Sequence, residues 1–235
     1  MSSSSIALLG LTVLLLGQTT ACTSISSNQS QATDSELMQV SSVELVQKGI
    51  AKSQQGNYKA ASVEFTKALK LNPNDADAYF NRGFAYSQIG EIEKAIADFT
   101  KALTLNPDYI GAYVNRANIY LQLGEFEKAI ADSHKALQID PNEPFAHNTL
   151  GLAYLNTGDS KNADFELSQV IASNPEYAEA YFNRGLARLD IGNREGAILD
   201  FNQAVQLFER DGNTEASQTA KEQVLLLEKK ATTPQ

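Results

Sequence analysis

The stretch Tyr79-Phe80-Asn81-Arg82-Gly83 decides the fold, because it returns as Tyr181-Phe182-Asn183-Arg184-Gly185 after three periods of 34 residues. Pro73, Pro107, Pro141 and Pro175 follow one another at the same interval of 34. A period of that length points to a helical solenoid, in which each repeat is one supersecondary unit. Each proline follows Asn72, Asn106, Asp140 or Asn174, a pairing that ends one helix and opens the next. Working outward from the prolines divides the body, 42–211, into five units: 42–75, 76–109, 110–143, 144–177 and 178–211.

The same residue types recur within each unit. The eighth position is Gly49, Gly83, Ala117, Gly151 and Gly185, and the twentieth is Ala61, Ala95, Ala129, Ala163 and Ala197. Such small residues let two antiparallel helices approach closely. Tyr79, Tyr113 and Tyr181 stand at the fourth position, Tyr86, Tyr120 and Tyr154 at the eleventh, and Phe65, Phe99 and Phe201 at the twenty-fourth. Gly56, Gly90, Gly124, Gly158 and Gly192 fall where a first helix must stop, as a C-terminal cap does. Each unit therefore reads as a helical hairpin. After the fifth, in the segment 212–235, Ala216, Ala220, Val224 and Leu227 form one stripe of a further helix, roughly Thr214 to Lys230, that covers the open end.

This pattern resembles the tetratricopeptide repeat, most closely in the second unit: Tyr79-Phe80-Asn81-Arg82-Gly83, then Tyr86, Gly90, Ala95, Phe99, Ala102 and Pro107. The resemblance spans 42–211 and implies an all-α, right-handed superhelical solenoid of five hairpins plus a capping helix. It also implies a concave groove lined by the first helices, where partner polypeptides bind. On this face the sequence offers Phe80, Asn81, Phe84, Val114, Asn115, Leu121, Leu155, Phe182, Asn183 and Leu186. An asparagine amide carries both donor and acceptor, so Asn81, Asn115 and Asn183 can pair with the backbone of a bound segment. The groove suits either a strand or a helix, and it lacks the lysines and arginines that would hold an acidic C-terminal tail.

Position 7 is Arg82, Arg116 and Arg184, and the same three units carry Asp98, Asp132 and Asp200 at position 23. In a hairpin turning near position 15 these positions face each other, which predicts one Arg–Asp bridge per unit. The first unit keeps the signs with Lys48 and Glu64, and the fourth sets Leu150 opposite Glu166. A ladder of arginines reaching for partner carboxylates is the competing reading.

Upstream of the repeats, Ile6 to Gly17 is an uncharged, leucine-rich run, too short to span a bilayer and suited to a secretory leader over 1–21. Thr19-Thr20-Ala21-Cys22 resembles a bacterial lipobox, which implies that the Cys22 thiol is alkylated by diacylglycerol. A soluble periplasmic protein cut after Ala21 is the alternative. The Ser- and Gln-rich segment of 22–41 then reads as a tether.

Composition narrows the function. The chain has 235 residues, 43% of them hydrophobic, with one Cys, two His and a formal charge of -9. One cysteine makes no intramolecular disulfide and no Cys-rich zinc module. The acidic balance argues against nucleic acid. No phosphate-binding glycine loop and no catalytic constellation is evident, and His147 occupies a tyrosine slot, so no cofactor, metal or enzymatic activity is expected. The sequence is identified as similar to bacterial lipoproteins of the repeat family, cyanobacterial members included: an adaptor held at the cell envelope, facing the periplasm. A self-associating structural or pilot lipoprotein of a secretion, pilus or photosynthetic assembly system is the alternative.

Overall fold

The computed structural model describes residues 41–232. The leader at 1–21, Cys22 and the tether up to residue 40 lie outside the described residues. Eleven helices make up the described chain: α1 (Ser42–Gln54), α2 (Tyr58–Leu71), α3 (Ala76–Gln88), α4 (Ile92–Leu105), α5 (Ile110–Gln122), α6 (Phe126–Ile139), α7 (Pro144–Thr157), α8 (Ser160–Ser173), α9 (Ala178–Asp190), α10 (Arg194–Arg210) and α11 (Thr214–Thr232). They pair in order as five hairpins, each packed on the next, and α11 packs on α10. The result is an all-α superhelical solenoid. Among the described residues no helix is long and apolar enough to cross a membrane.

Local chemistry sets where the helices begin and end. Ser41 and Glu44 form a reciprocal capping box at α1, while the side chains of Asn57, Asp75, Asp159 and Asn193 each accept a backbone N–H from the first turn. Within a hairpin the chain reverses at Gly56, Gly90, Gly124, Gly158 and Gly192, all with φ between +74° and +82°, a region that L side chains avoid. Between hairpins the residue before proline stabilises the corner: the Oδ1 atoms of Asn72, Asn106, Asp140 and Asn174 accept the N–H two residues on, at 3.0–3.2 Å.

Inside each hairpin, positions 8 and 24 trade volume. A methyl on Gly49 would stand 2.5 Å from the Phe65 ring, and one on Gly185 would stand 2.7 Å from Phe201. Only glycine leaves room for those aromatic rings. In the third hairpin both partners change together: Ala117 faces a helix that carries Ser133 in the aromatic slot, and both are fully buried. The Ser133 hydroxyl has no hydrogen-bond partner among the described residues. In the last layer Ala216, Ala220, Val224 and Leu227 of α11 are buried against the fifth hairpin.

Candidate binding groove

Helices α1, α3, α5, α7 and α9 touch one another in series, so their outward residues form one continuous face. Beneath it runs a row of five buried carboxylates, one per hairpin: Glu64, Asp98, Asp132, Glu166 and Asp200. A buried carboxylate must be paired and hydrogen-bonded to be tolerated. Three are gripped by the arginine at position 7. Arg82 Nε and Nη2 donate to Asp98 at 2.7 and 2.8 Å, Arg116 to Asp132 at 2.7 and 2.8 Å, and Arg184 to Asp200 at 2.9 and 2.7 Å. The forked geometry of guanidinium on carboxylate makes each contact bidentate. Arg82 also lies over the rings of Tyr79 and Tyr86, one turn to either side on α3.

The remaining two carboxylates obtain their cations from other turns of the same helix stripe. Glu64 is not held by Lys48, contrary to the charge pattern. Lys52 at position 11 and Lys67 on α2 hold it, Lys48 is exposed, and the Lys52 hydrogen bond depresses the Glu64 pKa against the effect of burial. Glu166 faces the fully buried Leu150, and its partner is His147 at position 4, whose Nδ1 lies 2.6 Å from Oε2. Positions 4, 7 and 11 follow at helical spacing and share a face, so any of them can supply the charge. Arg188, also at position 11, adds a second donor to Asp200 at 2.9 Å and ties it to Asp164 of the preceding hairpin at 2.8 Å.

Sequence reasoning missed the third partner of each arginine. Nη1 of Arg82, Arg116 and Arg184 donates to Thr66, Thr100 and Ser168, which belong to the preceding hairpin, at 3.1, 2.7 and 3.1 Å. The arginines therefore bolt neighbouring hairpins together and are not free for a ligand. A signal was present: a hydroxyl stands at position 25 only in the hairpins that precede an arginine-bearing one. The third hairpin, which precedes Leu150, has His134 there instead, and His134 Nε2 meets the Tyr154 hydroxyl at 3.0 Å.

The expected groove residues divide into three groups. Val114 and Leu121 are buried and must be withdrawn from the surface. Helix α5 lies against α7, so Val114 packs with Ala136 and Ala146, and Leu121 packs with Ala129 and Ala153. Phe80, Phe84, Phe182 and Leu186 are half-buried by neighbours. Phe80 stacks on Tyr109 at 4.8 Å, Phe84 meets Tyr58 edge-on at 6.0 Å, and Phe182 and Leu186 pack on the cluster that α11 completes with Val224 and Leu227. Burial pushes the Tyr109 hydroxyl pKa up, and that hydroxyl donates to Asp77 at 2.8 Å, closing the joint between the second and third hairpins. Leu155, Asn81, Asn115 and Asn183 remain half-exposed on the face. Asn81 Nδ2 donates to the Asp77 carbonyl at 2.7 Å, and Asn115 Nδ2 to the Gly111 carbonyl at 2.8 Å.

Comparison with known proteins finds the same repeat along 51–213. Tetratricopeptide repeat profiles match residues 76–109, 99–131 and 148–213, and a TPR repeat profile matches 51–90 and 117–158. No curated relative matches the chain. Among solved structures, YrrB, a TPR protein with an unusual peptide-binding site, superposes with a TM-score of 0.66 at 21% identity, covering 77% of this chain and 92% of its own. MamA superposes with a TM-score of 0.65 at 26% identity, covering 70% of this chain and 96% of its own. A thermophilic TPR protein of Thermus thermophilus reaches 0.58 at 21%, covering 79% and 100%. Profiles that run unbroken from 51 to 213, across five stacked hairpins, establish that the chain belongs to the tetratricopeptide repeat family.

Proposed function

We propose that this chain is a non-catalytic scaffold that holds an extended segment of a partner protein against the face built by its first helices. One observation carries the reading: Asn81 and Asn115 occupy the same position one repeat apart, each amide anchored by one N–H to the helix carbonyl four residues back. The anchoring fixes the amide plane. It leaves the side-chain carbonyl and the second N–H for a partner backbone. Phe80, Phe84 and Leu155 flank these amides with half-exposed apolar surface. YrrB, which shares the fold, has a peptide-binding site of its own.

The full chain, immobilised from detergent and exposed to solubilised membranes, should retain a partner that the Asn81→Ala/Asn115→Ala/Asn183→Ala variant releases. The segment recognised, once mapped, should bind the variant at least about tenfold more weakly, as expected when roughly 1.4 kcal/mol of hydrogen bonding is lost. Equal retention by both proteins would move the interaction to another face. The same proposal places the scaffold at the bacterial envelope, with Cys22 alkylated by diacylglycerol and the repeats facing the periplasm. Palmitate should label the wild type and spare Cys22→Ala; equal labelling of the two ends the anchor reading.

A further inference from the structure

The fourth hairpin departs from its neighbours at three positions at once. The slot of Tyr79, Tyr113 and Tyr181 holds His147, the slot of Arg82, Arg116 and Arg184 holds Leu150, and the buried carboxylate is the longer Glu166. Leu150 alone would leave that carboxylate stranded. His147 compensates through both of its ring nitrogens: Nδ1 lies 2.6 Å from Glu166 Oε2, and Nε2 lies 2.9 Å from the Pro141 carbonyl oxygen. A carboxylate and a carbonyl both accept hydrogen bonds. Both ring nitrogens must therefore donate, and an imidazole with two N–H groups is an imidazolium. A neutral ring would turn a lone pair toward one of the two oxygens.

The contacts join three segments. Pro141 lies in the corner between α6 and α7, His147 on α7 and Glu166 on α8. We infer that His147 is a protonation latch for the joint between the third and fourth hairpins: protonated, it clamps the 140–143 corner onto α7 and α8; deprotonated, it lets that corner go. The electrostatic surroundings hold the latch shut. The Glu166 hydrogen bond raises the His147 pKa, burial opposes it, and Pro141, Glu166 and Glu143 add to the rise. On the packed helices, Arg116 of α5 is engaged with Asp132 of α6 and Arg184 of α9 with Asp200, while Tyr154 of α7, in contact with His134 of α6, has its hydroxyl pKa raised by burial and by the Glu166 charge. The second, third and fifth hairpins use arginine, which does not titrate in the physiological range. Of the four buried carboxylates held by arginine or histidine, only Glu166 relies on a partner that titrates in that range.

The sign follows from the raised pKa. The latch contributes fully below the unfolded-state value near 6.5 and is lost as pH rises through the higher folded value. The test uses the full chain with isotope-labelled histidine, which gives two ring signals, the His147 signal being identified by its loss in His147→Tyr. Its midpoint should lie above 6.5 and fall in Glu166→Gln. Hydrogen exchange, corrected for the intrinsic rate, should show the 138–150 segment losing protection by about tenfold or more between pH 6 and pH 9, a change equivalent to one pKa unit. The second hairpin in the same molecule should not follow, nor should the 138–150 segment of His147→Tyr. A midpoint at or below 6.5 in the wild type would overturn the latch. So would equal loss of protection in the second and fourth hairpins.

Discussion

At the scale of single residues, the buried carboxylates bear most on specificity. Asp98 is 6% exposed and accepts from both Nε and Nη2 of Arg82. Asp98→Ala should therefore lower stability by about 3 kcal/mol, because it leaves a largely desolvated guanidinium without its counter-ion. Urea unfolding at neutral pH measures this, and a loss below about 1 kcal/mol would class the pair with ordinary surface bridges. Ser133 predicts the opposite sign. Its hydroxyl is fully buried and has no partner among the described residues, so Ser133→Ala should stabilise the protein by about 1 kcal/mol in the same assay. The Arg82–Asp98 geometry was legible in the sequence, since positions 7 and 23 face each other across a hairpin. The partners of Glu64 and Glu166 were not. Lysine and histidine reach that site from the turns before and after position 7, and only side-chain packing chooses among the three.

At the scale of the helix, turn chemistry acts with little help from tertiary contacts. Gly90 has φ +77°, and a Cβ there would touch nothing within 4 Å. Gly90→Ala should thus cost about 1 kcal/mol from the backbone alone, read as a lowered melting temperature with an unchanged fold. Gly49→Ala is a different case, because its methyl would run into the Phe65 ring at 2.5 Å. It should cost about 2 kcal/mol through overpacking, and pairing it with Phe65→Leu should recover part of that loss. The periodic glycines, alanines and Asn-Pro corners set the helix boundaries, so these were readable without the structure. The burial of position 5 on α5 was not. Position 5 is half-exposed as Phe80 and Phe182 but buried as Val114, because α5 and α7 pack more closely than the repeat register alone implies.

At the scale of the whole molecule, the solenoid depends on closure of its last layer. Val224 and Leu227 of α11 cover Ala197 and Phe201 and shield Phe182 and Leu186. A chain ending at residue 211 should lose about 4 kcal/mol from those two side chains, at roughly 2 kcal/mol each, and unfold at lower urea. The sequence by itself determined the period, the five hairpins, the capping stripe and the facing of Arg82, Arg116 and Arg184 with Asp98, Asp132 and Asp200. Those features depend on helical geometry and on contacts made inside one repeat, which spacing encodes directly. Tertiary structure alone decided which groove positions stay open, which cation holds Glu64 and Glu166, and that each of these arginines also grips the hairpin before it. The open groove positions and the second grip of each arginine arise where two repeats meet, and there the outcome depends on the packing distance between helices that are 34 residues apart in the chain; the cations of Glu64 and Glu166 are chosen inside one hairpin, by which of positions 4, 7 and 11 carries a side chain that reaches the carboxylate.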